Sequence, residues 1–178
     1  MVITQYGGPN GELGASLRYL SQRYTMPDEV SKGLLTDIGT EELAHLEIVG
    51  SLVAQLSKNA PPKEWSEMGS WEYYSDNGAS VFPQSSQDSP FNAASIAVTG
   101  DPLTNLYEDL AAEQKARAVY DNILKLSDDP DVNKVIKFLR QREVVHFQRF
   151  GEAILTHSNR FGGYIACVKM QFIDIENY

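Results

Sequence analysis

Cysteine is nearly missing from this chain of 178 residues, where Cys167 stands alone. A single thiol excludes an intramolecular disulfide and any zinc or iron–sulfur site built on several cysteines, and it agrees with a reducing compartment. Basic residues are scarce too: 15 Lys and Arg face 24 Asp and Glu, for a net charge of −9. That deficit argues against nucleic acid or an anionic membrane surface as the main partner. No apolar run approaches the roughly 20 residues of a membrane span, and the N-terminus lacks the basic-then-apolar order of a signal peptide. The expected location on these grounds is the cytoplasm. Histidine is the last scarcity, with three in all.

Two of those histidines fall in a repeat. Glu12, Tyr19, Glu42 and His45 recur as Glu113, Tyr120, Glu143 and His146, every member displaced by 101 positions, so that E-x6-Y-x22-E-x2-H is written once in each half. A lone Glu on one helix and a Glu-x-x-His pair on another, supplied twice, is what a four-helix bundle uses to hold two metal ions between its helices.

The length suits one domain with a core large enough to fold without disulfides or other staples. Helical patterning comes in four segments. Segment A is expected from about Pro9 to Tyr24, and segment B from Asp28 to Lys58, with an inward seam of Leu35, Ile38, Glu42, His45, Val49, Leu52 and Leu56. Segment C opens with Asp101 as cap and Pro102 in the first helical position, and its seam is Leu106, Leu110, Glu113, Arg117, Tyr120 and Leu124. Segment D runs from about Asp129 and Pro130 to Ser158 through Val132, Ile136, Leu139, Glu143, His146, Phe150 and Ala153. Tight turns join A to B and C to D, while residues 59–100, rich in Pro, Ser, Gly and aromatics, make a long traverse from B to C. This is the connectivity of an all-α, ferritin-like four-helix bundle. The bundle is expected over residues 1–158, followed by a short tail, 159–178, that reads as a short strand or irregular chain. Trp71, Tyr73, Tyr74, Phe82 and Phe91 give the crossover enough aromatic surface to pack over the bundle or against a neighbouring subunit.

A buried, unpaired carboxylate costs several kcal/mol, so a glutamate inside an apolar seam must be neutral, paired or bound to a cation. Four of them converge here, and Arg117 is the only cation in the seams. Two divalent metals balance the charge. Residues three apart share a helix face, so Glu42 with His45 and Glu143 with His146 can each aim an oxygen and a nitrogen into one cavity, completed by Glu12 and Glu113. Tyr19 and Tyr120 lie seven residues beyond those two glutamates on the same face, placed either to hydrogen-bond them or simply to pack. Arg117, one turn after Glu113, is placed to pair with a site carboxylate; Arg18, Lys115 and Arg142 read as exterior or supporting charges, and His157 as a surface histidine. A donor set dominated by oxygen favours manganese or iron over zinc or copper, without separating those two. Both metals change oxidation state, which makes peroxide or dioxygen chemistry the natural class.

At these same residues the sequence resembles the manganese catalases, including their short spore-coat members. The matching stretches are YGGPNGELGASLRYLSQRY, GLLTDIGTEELAHLEIVGSLV, GDPLTNLYEDLAAEQKARAVYDNILKLSDDPDV and FLRQREVVHFQRFGEA. The resemblance implies two manganese ions and no haem. It implies Glu12 and His45 as terminal ligands of one ion, Glu113 and His146 of the other, Glu42 as their bridge, and Glu143 as a proton shuttle beside the bridge. The implied reaction is disproportionation of hydrogen peroxide to water and dioxygen, and the implied assembly a homo-oligomer, often a hexamer. Two departures from the family pattern stand out: only eleven residues precede Glu12, and similarity fades after about residue 155. Two other readings compete, a di-iron peroxidase or oxidase, weakened by the lack of a C-x-x-C electron-transfer module, and a structural spore-coat protein that keeps the site for stability.

Overall fold

A computed structural model describes residues 2–59, 81–85 and 91–160, side chains of 159 and 160 excepted. The expected strand or tail after residue 160 and the aromatics Trp71, Tyr73 and Tyr74 lie outside these residues. The described chain contains α1 (Thr4–Gly7), α2 (Glu12–Gln22), α3 (Glu29–Ser57), α4 (Pro102–Leu126) and α5 (Pro130–Arg160), with 3-10 turns at Arg23–Thr25 and Ala93–Ile96.

Each long helix starts where a short acid can hold the free amides of its first turn. Asp28 accepts from Ser31 N at 2.9 Å, Asp101 from Thr104 N at 2.7 Å ahead of Pro102, and Asp129 from Asp131 N at 2.9 Å around Pro130. All three starts agree with the sequence reading. Helix α2 starts later than expected, at Glu12 itself, because Gly8 to Gly11 form a turn closed by Gly11 N donating to the Gly8 carbonyl; upstream, residues 4–7 make a helix of their own.

Helices α2 and α3 pack as one antiparallel pair and α4 and α5 as another, and the pairs meet through α3 against α5 and α2 against α4. The apolar faces form two clusters rather than one. Val49, Leu52, Val53, Tyr120, Ile123, Val132, Ile136 and Leu139 make the first; Tyr19, Met26, Leu35, Ile38, Leu106, Phe150 and Ile154 make the second. Along α3, α4 and α5 the glutamates and histidines of the repeat fall between the residues of one cluster and those of the other. The bundle is thus an apolar–polar–apolar stack, and the polar layer is the candidate site.

The seams shift in detail. Among the described residues Leu56 is 51 % exposed and so leaves the expected seam of α3. On α4 the inward face is Leu106, Asp109, Ala112, Glu113, Ala116, Tyr120 and Ile123, so that Leu110, Arg117 and Leu124 lie at its margin. On α5 the seam holds and continues through Ile154 to His157.

The parts of the crossover that are described pack on the bundle. Buried Arg18 donates to the carbonyls of Ser95 and Ile96 at 2.8 and 3.0 Å, which ties the turn at 93–96 to α2. Residues 83–84 cross so close to α1 that a Cβ on Gly7 would lie 2.3 Å from the backbone of Pro83 and Gln84. The chain enters α4 through Ala97 and Gly100, both at positive φ, where glycine carries no steric penalty.

Candidate metal centre

Glu12 is the first residue of α2, Glu42 and His45 stand at mid-length on α3, Glu113 on α4, and Glu143 and His146 on α5. All six side chains are buried. They form two overlapping sets, Glu12, Glu42, His45 and Glu143, and Glu42, Glu113, Glu143 and His146, within each of which one donor atom per residue lies within 4.8 Å of the others. The structure therefore brings together every residue expected as a ligand or as the proton-moving carboxylate.

Glu42 sits between the imidazoles. Its Oε2 is 2.9 Å from His45 Nδ1 and its Oε1 is 2.7 Å from His146 Nδ1, while the two rings stack 5.6 Å apart. Glu12 faces His45 Nδ1 at 3.8 Å, and Glu113 faces His146 Nδ1 at 3.5 Å. Close approach does not mean satisfied polar atoms: Glu42 Oε1, Glu113 Oε2, Glu143 Oε1 and both ring nitrogens of His146 are buried without an aligned hydrogen bond. Buried donors that converge on a common space and leave several of their atoms unpartnered are suited to a shared cation.

The tyrosines hydrogen-bond the glutamates, but crosswise. Tyr19 donates to Glu113 Oε1 and Tyr120 to Glu12 Oε1, so each phenol serves the carboxylate of the other half. Seven residues along a helix place the phenol beyond its own glutamate and beside the one that faces it across the bundle. Burial, with the adjacent carboxylates, pushes both phenols well above their usual range and keeps them as neutral donors.

Burial likewise raises the carboxyls of Glu12, Glu113 and Glu143, reinforced by neighbouring glutamates. Burial acts in the same direction on Glu42, but the adjacent imidazoles of His146 and His45 outweigh it and hold this carboxyl below its ordinary range. For His146 burial favours the neutral ring, yet the carboxylates of Glu113 and Glu42 lift it to about 10. Among the described residues no lysine or arginine pairs with any of the four buried glutamates; Glu12, Glu42 and Glu113 have the two imidazoles as ion-pair partners, and Glu143 has none. An oxygen-rich set with one nitrogen per half fits a pair of hard divalent ions such as manganese or iron.

Two expectations are corrected. Arg117 does not reach a site carboxylate: it pairs with Asp121 and Gln114 on the outer side of α4, because four residues on from Glu113 its position is turned by about 40° towards the margin of the inward face. His157 is not a surface residue. It is 2 % exposed, 2.6 Å from Ser31 Oγ, since the end of α5 lies against the start of α3. One residue next to the centre escaped the sequence reading. Glu41 faces Nε2 of both histidines, at 3.5 Å from His45 and 3.2 Å from His146, and is held by Arg142. The signal was available in the repeat: positions 41 and 142 are equivalent, and they carry opposite charges.

Glutamates on four helices around two imidazoles, with a long crossover between the helix pairs, define the ferritin-like proteins that hold a dinuclear metal centre. Within that class the chain belongs to the manganese containing catalase family, whose model matches residues 1–170. It is 52 % identical to Protein CotJC of Bacillus subtilis over 86 % of this chain and 80 % of that protein. A protein named "Probable manganese catalase" from Clostridium acetobutylicum is 38 % identical over 84 % of this chain and 67 % of its own length. The crystal structure of KatB, a manganese catalase from Anabaena, superposes with a TM-score of 0.80 at 29 % identity, covering 95 % of this chain and 76 % of that one.

Proposed function

We propose that this protein is a non-haem catalase that converts two hydrogen peroxide molecules into two waters and one dioxygen at a pair of manganese ions. The observation that carries this reading is the placement of Glu42, one oxygen on each imidazole, inside two overlapping four-residue donor sets. Bound manganese supplies the two-electron couple, by which one peroxide is reduced and the next oxidised.

The chain's own residues divide the remaining work. Glu42 would bridge the two ions, Glu12 with His45 would hold one, and Glu113 with His146 would hold the other. Glu143 handles protons. Unlike Glu12, Glu42 and Glu113, among the described residues it is neither ion-paired with an imidazole nor hydrogen-bonded by a phenol, and burial with the nearby Glu113 charge raises its carboxyl well above the ordinary range. A carboxyl that readily holds a proton can accept one from the peroxide being oxidised and return it to the one being reduced. Tyr19 and Tyr120 aim Glu113 and Glu12, and the two apolar clusters keep bulk water from the layer between them.

Dioxygen evolution from peroxide in the presence of azide, which blocks haem, tests the activity together with metal analysis of protein loaded with manganese and iron in competition. Two manganese per chain with azide-resistant dioxygen is expected; iron with no dioxygen would sink the reading in favour of a di-iron enzyme. Assembly into a homo-oligomer, with the hexamer as the expected form, belongs to the same proposal and is checked by light scattering. The likeness to Protein CotJC supports a second reading, a spore-coat member of low activity. For location, no helix among the described residues is long and apolar enough to cross a membrane. Fractionation of sporulating cells decides between spore coat and cytoplasm.

A further inference from the structure

The repeat matches Glu, Tyr, Glu and His between the halves, but it changes sign at one position beside the centre. The residue before each Glu-x-x-His is Glu41 in the first half and Arg142 in the second, again 101 positions apart. They bind each other: Arg142 Nε donates to Glu41 Oε1 at 2.5 Å and Nη2 to Oε2 at 3.2 Å. Residues related by a two-fold operation can touch only close to the axis, so this fork lies on the pseudo-two-fold that exchanges the metal positions. The same two oxygens face the histidines, Oε1 at 3.5 Å from His45 Nε2 and Oε2 at 3.2 Å from His146 Nε2, the latter a close approach without an aligned hydrogen bond. Each ring therefore turns Nδ1 to the buried carboxylates and Nε2 to Glu41. With side chains 28 and 30 % exposed, Glu41 and Arg142 close the polar layer on its solvent side.

We propose that Glu41 is a positioning residue shared by both metal-binding histidines: it accepts Nε2–H from His45 and from His146, and Arg142 holds it on the axis in a two-point grip. A neutral imidazole carries one N–H, and an acceptor fixed at Nε2 keeps that hydrogen there and leaves the Nδ1 lone pair for the metal. One carboxylate thus sets the tautomer and tilt of both rings. The arrangement needs opposite charges at positions 41 and 142 but is indifferent to which carries which, because the axis maps one place onto the other. The inference rests on the manganese-pair reading above.

The test is competitive manganese binding against a metal-buffering chelator, read as the affinity of each ion, for the full-length protein and its variants, with helix content checked by circular dichroism. Glu41→Ala is expected to weaken both ions by about 10- to 100-fold, the usual effect of losing a ligand's supporting partner. Glu41→Gln, whose one amide oxygen serves one ring well, is expected to lose less. The exchange Glu41→Arg with Arg142→Glu is expected to recover at least about tenfold over Glu41→Ala. A plain surface ion pair would leave affinity unchanged in all three. Wild-type affinity in both Glu41 substitutions, weakening of one ion only by Glu41→Ala, or a folded exchange variant no better than Glu41→Ala overturns the proposal; if the alanine or exchange variant does not fold, Glu41→Gln decides alone, and wild-type affinity for both ions in it overturns the proposal. A wild-type chain that binds no manganese refutes the metal reading itself, a result distinct from any of these.

Discussion

Tyr120→Phe removes one oxygen and, by this account, weakens one metal ion of the two. The phenol donates to Glu12 Oε1, and both groups are buried. A hydrogen bond to a charged acceptor contributes about 1.5–3 kcal/mol. At about 1.4 kcal/mol per decade, the loss corresponds to roughly 10- to 150-fold in affinity. The ring itself packs with Val49, Ile123 and Leu139 and is retained in the variant, so the fold should persist. Which ion suffers follows from the crossed hydrogen bonds: Glu12 faces His45, hence the ion held with His45 is weakened although Tyr120 belongs to the other half. The assay is manganese titration in a His45→Ala background, where only the His146 ion remains to be measured. There Tyr120→Phe should change nothing further, while Tyr19→Phe, which frees Glu113, should cost the remaining ion its 10- to 150-fold. Equal weakening by the two tyrosine substitutions, or weakening by Tyr120→Phe alone, refutes the crossed arrangement.

Other outcomes follow from the same geometry. Glu143→Gln should retain both manganese ions and lose about 10²- to 10⁴-fold in dioxygen release, the usual contribution of a positioned acid–base group; loss of metal instead would make Glu143 a ligand. Stripping the metal should make stability pH-dependent. The raised carboxyls of Glu12, Glu113 and Glu143 favour folding below their unfolded value of 4.5, a contribution lost as pH rises through their folded values, and His146 adds one lost as pH rises towards about 10. Glu42, held low, acts only at acid pH, outside this window. The stripped protein should therefore unfold more easily as pH climbs from mildly acidic to alkaline, manganese should stabilise it more at the alkaline end, and loading should release protons, all measurable by thermal unfolding and unbuffered titration. Ile136→Ala, in the fully buried first cluster, should cost about 2–5 kcal/mol, seen as a fall in Tm of several degrees without change in the manganese-to-chain ratio.

The metal centre was legible in the sequence because its demands are periodic. Glutamates and histidines that interrupt apolar seams at a fixed offset report burial, shared faces and pairing between halves at once, and all six residues so marked converge in the structure. The helix starts were equally plain, since Asp28, Asp101 and Asp129 cap by local chemistry that needs no tertiary partner. What periodicity did not convey was direction across the bundle. The spacing of Tyr19 and Tyr120 placed them on the faces of their own glutamates, but contact across the helix pairs sends each phenol to the opposite one. Arg117 failed for a related reason: four residues from Glu113 on a helix is a near neighbour, and a rotation of part of a turn gave it to Asp121. His157 lay beyond the expected end of the seam, and only the packing of α5 on the start of α3 buries it. Glu41 is not marked by the repeat because its equivalent position, Arg142, carries the opposite charge, and the repeat shows itself through identical residues.

The most direct measurement is anomalous scattering at the manganese absorption edge from crystals of protein loaded with manganese. The account predicts two peaks per chain, roughly 3.5–4 Å apart as in other two-metal centres, one beside Glu12 and His45, the other beside Glu113 and His146, with the Glu42 carboxylate spanning them. A single peak, or two peaks of which Glu42 touches only one, would contradict it.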